Sequence, residues 1–408
     1  MRIPTFLLSE SNVPEEELRA AEILCWYLDT FSTPLLGLKL FASHHRCSKH
    51  FKDDAFLRYI HRCCNVFSTK TVIKMLVMHR KFYTPCTILN PELRLHLNEL
   101  KESDCISYFR FGHSDIKKII THLLLPDVLI TPIHADRVLI VEAICLILRR
   151  LSYPCRWFDL QNQFGRHVSA LSRIFYHTMD LILQRVKQQV LFYSLTMDDV
   201  QSFVAAFAAR GVPEVIRLFS VIDVKKHQTC RPGEHQRSVY SGHKRIHCLK
   251  YQTLELPNGL ILHCSVGDDG RRGDGYILRR SGLIPFLQND PLLRDFQVLG
   301  DSAYPNCDVM VSIYKGRRLP PAAVAFNSVM CPIRTCVEWG YEKIVRYWAF
   351  LDFKKQMKIQ KSLIIPMWHL AIFLTNCVTC ARGGNQISKY FNIAPPSLEE
   401  YISNVVNN

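Results

Sequence analysis

The chain lacks several familiar catalytic signatures. It has no GxxxxGK[ST] loop to cradle the phosphates of a nucleotide, and no GxSxG elbow to present a nucleophilic serine. These gaps argue against a P-loop NTPase and an α/β-hydrolase. Internal repeats and low-complexity tracts are also missing, which sets aside solenoids and disordered arrays. No Lys/Arg-rich run stands out as an import signal. The opening stretch, Met1 to Leu8, has too short an apolar run before Glu10 for a secretory signal. Acid is the scarce charge, with 36 Asp+Glu against 51 Lys+Arg, a formal net charge of +15. Such a surface attracts polyanions, nucleic acid first and anionic membrane second.

Cysteine is plentiful, with 16 residues, but its spacing does not repeat. In a chain of 408 residues this is no secreted disulfide framework, and a reducing compartment fits better. The pair Cys377-Val378-Thr379-Cys380 reads as two faces of a packed helix and not as a redox couple. The most apolar late stretch, Leu363 to Cys380, contains Pro366, His369 and Asn376. It reads as a buried helix and not as a membrane span.

Length alone suggests about two to three domains. Residues 1–100 form an unassigned N-terminal extension. They hold a crowded cluster, His44, His45, Cys47 and His50, then His61, Cys63 and Cys64. Its irregular spacing does not suit the paired ligands of a zinc site. Residues 105–200 read as helical. Ser114-Asp115 suggests a cap before Ile116, and Ala135 to Leu151 has a broad apolar face. Residues 210–395 begin with strands: Leu218 to Ile222, then Ile246 to Leu256 and Leu260 to Val266 around the turn Pro257-Asn258-Gly259, then Phe296 to Leu299. The pattern returns to helix after Pro320-Pro321, and residues 396–408 form a C-terminal tail.

Within the helical region, Arg156 to Phe164, Gly165 and a helix capped by Ser169 have the layout of a helix-turn-helix. Arg166 and Arg173, in the turn and second helix, are the expected DNA contacts, beside Ser169, Ser172 and His177. A plain helical hairpin in an all-α bundle fits the same pattern.

Two apolar runs end in acid: Leu218 to Ile222 is followed by Asp223, and Phe296 to Leu299 by Gly300-Asp301. A carboxylate at the mouth of a buried strand is held rigidly and faces solvent, as a Mg²⁺ ligand must. The helix after Pro320-Pro321 carries an inner stripe of Val329, Ile333, Val337, Gly340 and Ile344. Asn327, Arg334 and Glu338 share another of its faces at helical spacing. Pro332 either starts or kinks that helix, which leaves the phase of Asn327 open.

Taken together, these motifs resemble the catalytic region of Harbinger (PIF-type) DDE transposases. The likeness rests on Asp223; Arg231-Pro232-Gly233; Tyr240-Ser241-Gly242-His243-Lys244; Asp269-Gly270-Arg271-Arg272-Gly273-Asp274; Gly300-Asp301-Ser302-Ala303-Tyr304-Pro305; Phe326-Asn327; Arg334; and Val337-Glu338-Trp339. Phe350-Leu351-Asp352-Phe353-Lys354-Lys355 and Ser388-Lys389-Tyr390-Phe391 belong to the same pattern. The likeness runs from about residue 105 to 400.

The resemblance implies an α/β (α+β) fold: an RNase H-like mixed sheet flanked by helices, preceded by an all-α helix-turn-helix region. It implies Asp223, Asp301 and Glu338 as catalytic metal ligands for two Mg²⁺ (or Mn²⁺) ions, roughly 3.5–4 Å apart. Asp274, Asn327 and Arg334 would support them. Lys244, Arg245, Arg271 and Arg272, with Lys250 beside them, are candidate backbone contacts to DNA. The implied activity is hydrolysis of DNA phosphodiesters and strand transfer in the nucleus, with a separate Myb-like accessory protein and room for oligomerisation. The chain also departs from the family pattern. Val224-Lys225 follow Asp223 where the family often has Gly-Thr, and Gly273 stands where it has histidine. With Pro332, these departures point to the alternative of a decayed or domesticated copy that binds DNA without cutting it.

Overall fold

The computed structural model describes residues 95–132, 134–186, 193–359 and 361–407, together with Ser68, Thr71 and Val72. The chain divides into two compact units, Met1–Ile88 and Leu89–Asn408. In the first, the Ser68 hydroxyl accepts the Thr71 N–H at 3.2 Å. The His/Cys cluster of residues 44–64 lies outside the described residues.

The second unit opens with helices α1 (Glu102–Phe109) and α2 (His113–His122). Ser114-Asp115 was expected to cap α2, but the cap lies further upstream. Asp115 sits at the third helical position, and its carboxylate accepts the N–H of Gly112, the true cap residue, at 3.1 Å. The segment expected to be helical from Ala135 instead begins as a strand. β1 (Val128–Ile130) and β2 (Arg137–Leu139) pair antiparallel, and the helix α3 (Ile140–Ser152) starts only after them. The backbone explains the switch: the Ile140 N–H bonds to Asp127 O, so the hairpin holds the chain extended up to that point. α4 (Trp157–Phe164), a turn with Gly165 at φ 56°, and α5 (Val168–Arg185) follow as expected. His167 caps α5, accepting the Ser169 N–H at 3.2 Å, where Ser169 was expected to cap. α6 (Met197–Ala208) completes the helical layer.

Strand β3 (Leu218–Gln228) is longer than its apolar run. It passes through Asp223 because the long β5 (Ile246–Glu255) pairs with it antiparallel, from Val221 against Glu255 to Gln228 against Cys248. Between them lie α7 (Gln236–Val239) and β4 (Tyr240–Ser241). β6 (Ile261–Cys264) returns along β5 through the turn at Pro257-Asn258-Gly259, where Gly259 has φ 83°. β7 (Asp268–Asp269) pairs with the other end of β5. Helices α8 (Asp274–Ser281) and α9 (Leu283–Asn289) lead to β8 (Gln297–Gly300) and β9 (Met310–Ser312), both parallel to their neighbours.

The order β4-β5-β3-β8-β9, with β6 and β7 on β5, makes a seven-stranded mixed sheet among the described residues. Antiparallel pairing among β3 to β7, continued by the parallel strands β8 and β9 and flanked by helices, matches an RNase H-like core. β3 is central, so its residues Leu218 to Ile222 are buried on both faces.

α10 (Pro321–Tyr347) crosses one face of this sheet. It runs through Pro332 unbroken. Pro332 and Ser328 are both exposed, so the carbonyl that Pro332 cannot bond faces water. α11 (Ile364–Ala381) is long and apolar enough to cross a membrane, yet 83% of it is buried within the protein. Trp368 explains its place: the indole stacks on Tyr251 of β5 at 4.8 Å and on His227 of β3 at 4.7 Å. Cys377 and Cys380 lie buried and unbridged on this helix. α12 (Gln386–Phe391) follows, and the tail is the helix α13 (Leu398–Asn407), which buries Leu398, Tyr401, Ile402 and Val405.

The helical layer is continuous with the sheet domain. Arg150 of α3, 4% exposed, lies between the rings of Trp157 and Phe350, at 4.3 and 4.2 Å. A guanidinium between two aromatic faces keeps favourable electrostatics after losing water.

Candidate active site

β3 and β8 are neighbouring parallel strands. Their register pairs Val221 with Leu299, so Asp223 and Asp301 emerge on adjacent strands just beyond the parallel pairing. This is the end at which open α/β sheets bind ligands. Asp301 begins a turn, its carboxylate accepting the Ala303 N–H at 2.9 Å. The turn requires the preceding Gly300, because a Cβ there would come within 2.7 Å of the Tyr304 ring. Asp223 is fixed through its backbone: the Tyr341 hydroxyl of α10 donates to the Asp223 carbonyl at 2.7 Å.

α10 brings the third acid. Arg334 stands 3.9 Å from the Asp223 carboxylate and 3.5 Å from Glu338, and so bridges them. Glu338 is the most open of the three, at 59% exposure against 21% for Asp223. Burial, reinforced by the charges of Asp301 and Asp274, pushes the Asp223 carboxyl up to about 6, against the pull of Arg334 and the Val224 N–H. A carboxylate destabilised by burial and by other acids is one that a cation relieves. Arg334 is the cation beside it in this structure.

The donor type suits a hard divalent ion: oxygen ligands at adjacent strand ends, with a third acid on the facing helix. The cluster is not closed, however. Among the described residues, no three His, Cys, Asp or Glu lie close enough together to hold a metal.

Residues 222–376, a span that contains all three acids, match the family model described as DDE superfamily endonuclease. A DDE superfamily endonuclease domain therefore occupies this part of the chain. No curated protein matches the chain, and no solved structure does. The Harbinger-type resemblance read from the motifs holds over this span.

The other expected site residues fall into four groups. Asp274, at the first position of α8, lies 3.3 Å from Lys250 and adds negative charge near Asp223. Asn327 is engaged elsewhere, with no hydrogen bond to the three acids among the described residues. It clamps the backbone of Tyr314, accepting its N–H and donating to its carbonyl, each at 2.9 Å. Lys244, Arg245, Arg271 and Arg272 of the DDE domain are exposed, the first two in the turn between β4 and β5. Arg272 rests over Tyr276 at 4.5 Å.

Arg166 and Arg173 need correction as free phosphate contacts. Arg166 is bound by both nitrogens to Glu142, at 2.5 and 3.0 Å, with side chains only 10% and 5% exposed. Arg173 holds Asp136 in the same manner, at 2.6 and 2.8 Å. Both guanidiniums tie α5 and its turn to the preceding hairpin and helix, which leaves them little to offer DNA.

Tyr341 and Gly340 were not singled out for a role in positioning the acids. Tyr341 lies three residues after Glu338, and that helical spacing was the available signal. Gly340 lets α10 approach β5 closely, since a Cβ there would meet Glu255 Oε1 at 2.6 Å.

Proposed function

We propose that the protein is a DNA endonuclease and transposase of the DDE type, working through metal ions held by Asp223, Asp301 and Glu338. The observation that carries this reading is the emergence of Asp223 and Asp301 from adjacent parallel strands, with Glu338 joined to Asp223 through Arg334. When bound, two Mg²⁺ or Mn²⁺ ions would supply activation of water and stabilisation of the leaving oxygen.

The chain's own residues do the rest. Tyr341 fixes the backbone of Asp223, and the turn at Asp301 holds that residue's carboxylate. Arg334 balances the charge of Asp223 and Glu338, the side chains that with Asp301 would hold the ions. Lys244, Arg245, Arg271 and Arg272 hold the DNA backbone. The α4–turn–α5 unit is proposed as a helix-turn-helix DNA reader through its outward side chains other than Arg166 and Arg173. The substrate places the protein in the nucleus. A Myb-like accessory protein and self-association enter by family resemblance.

The test is nicking of supercoiled plasmid by the purified chain in Mg²⁺ or Mn²⁺. Metal-dependent nicking that vanishes in Asp301→Asn supports the reading, and its absence in the parent chain opposes it. A second reading, DNA binding without cleavage, is favoured by the open acid cluster and by Gly273 in place of histidine. It expects DNA retention without nicking in the same assay.

A further inference from the structure

The strand connections between Asp223 and β5 contain more than the acid site needs. From Lys225 to Lys250 there are seven Lys and Arg (225, 226, 231, 237, 244, 245 and 250) against one acid, Glu234. Part of this charge gathers in an open cleft of about 710 Å³, lined by Arg231, Arg237 and Arg271 around Tyr240 and His247. The three arginines are exposed, and among the described residues none lies in an ion pair with a carboxylate. This contrasts with Arg166 and Arg173, whose guanidiniums are taken by acids.

The cleft is built and not a chance gathering of surface charge. Arg231 is oriented by Gln236, to which it donates at 2.8 Å. Arg271 is anchored through its backbone N–H to Ser238 O at 3.0 Å. The preceding Gly270 lets the chain pass close, because a Cβ there would lie 2.7 Å from the Cys248 carbonyl. Tyr240 packs its ring against His247 at 5.3 Å and remains 38% exposed, so a broad aromatic surface stays open to the cleft.

We infer that this cleft binds an unpaired segment of DNA, its phosphates held by Arg231, Arg237 and Arg271 and a base stacked on Tyr240. The proposal rests on the nucleic-acid reading above, and it does not require cleavage. Cations beside an open aromatic face suit single strands, whose bases are free to stack, whereas a duplex keeps its bases paired within. Position agrees with this. The Thr229 N–H bonds to the His247 carbonyl at 2.9 Å, six residues beyond Asp223 and one past the end of β3. At the rise of a strand that is about 20 Å, or about six steps of B-form DNA. A strand cut at Asp223 would therefore reach the cleft if the duplex opened over that length.

The experiment is fluorescence anisotropy in EDTA with the full chain, on a blunt duplex and on a forked duplex bearing six-nucleotide unpaired arms. The parent chain should bind the fork at least about fivefold more tightly, the lower range of one base stacked on an aromatic ring. Tyr240→Ala should abolish that preference and keep the salt dependence. Arg231→Gln, Arg237→Gln and Arg271→Gln together should reduce the slope of log affinity against log salt on the fork by about 2, three single-strand phosphate contacts at roughly 0.7 each.

All four side chains are exposed, and thermal melts check that the variants stay folded. Equal affinity of the parent for fork and duplex overturns the proposal. So does an unchanged slope in the triple variant, or a fork preference that survives Tyr240→Ala. Asp223→Asn should keep the fork preference. If the parent prefers the fork yet never nicks plasmid, the cleft stands and only the nuclease reading falls.

Discussion

Glu255 sits two residues from Thr253, the cross-strand partner of Asp223, and directly beneath Gly340 of α10. It is 1% exposed. Burial pushes its carboxyl up from 4.5 to about 8, only partly offset by Lys343 and Thr253. Below pH 4.5 the folded and unfolded chains both hold this proton, so the group favours neither. As pH rises from 4.5 towards 8, the unfolded chain releases the proton and the folded chain does not, and stability falls. Near neutrality the gap is about 2.5 pH units, or about 3 kcal/mol at 1.36 kcal/mol per unit. Glu255→Gln keeps the shape and removes the titration, so it should stabilise the protein by up to about 3 kcal/mol near neutrality and by nothing at pH 4.5. Lys343, held down to about 8 mainly by burial, has the opposite sign. Its contribution rises with pH from about 8 towards 10.5, and so leaves the lower window to Glu255. Urea unfolding of parent and variant between pH 5 and 8 is the assay. Parallel stability curves across that range would refute the reasoning, because they would mean that Glu255 ionises in the folded protein as it does in water.

Gly340→Ala should cost about 1–3 kcal/mol, as overpacking does, and lower nicking by lifting Glu338 from the sheet; urea unfolding and the plasmid assay read the two effects. Asp223→Asn, Asp301→Asn and Glu338→Gln should each abolish nicking with unchanged circular dichroism, and wild-type nicking by any of them removes that residue from the site. Arg334→Gln takes a positive charge from the acids, so Mn²⁺ should bind about tenfold more tightly, a change of about 1.4 kcal/mol; titration followed by paramagnetic resonance shows the shift, and unchanged affinity means that Arg334 does not compete with the ion. Arg166→Ala strands the buried carboxylate of Glu142 and should destabilise the protein by about 3–5 kcal/mol; a stable variant with weakened DNA binding would restore Arg166 as a DNA contact.

Legibility followed the range of the interactions. The buried strand Leu218 to Ile222, the turn at Gly259 and the helix of Glu338 announce themselves through local pattern, and all three formed. The end of β3 did not. Nothing between Asp223 and Gln228 reads as strand by itself, and that stretch is extended because β5 pairs with it. The β1–β2 hairpin was hidden for a related reason. Val138 suits the apolar face of a helix equally well, and the choice was made by the pairing of Arg137 to Leu139 with Val128 to Ile130, a contact that spacing cannot register.

The arginines carry the same lesson into function. Sequence places Arg166 and Arg173 in a turn and helix suited to DNA, and places Arg231 and Arg237 in an irregular connection of no evident purpose. What separates them is the acid each one meets in the fold. Glu142 and Asp136 lie 24 and 37 residues away from the arginines they neutralise, while in the other connection Glu234 pairs with neither Arg231 nor Arg237 among the described residues. A guanidinium bonded bidentately to a buried carboxylate has already spent its charge and its planar donors. One in an open cleft keeps both for a phosphate. Which arginines stay open to a phosphate is thus decided less by where they occur in the sequence than by where the scarce acids fold to meet them.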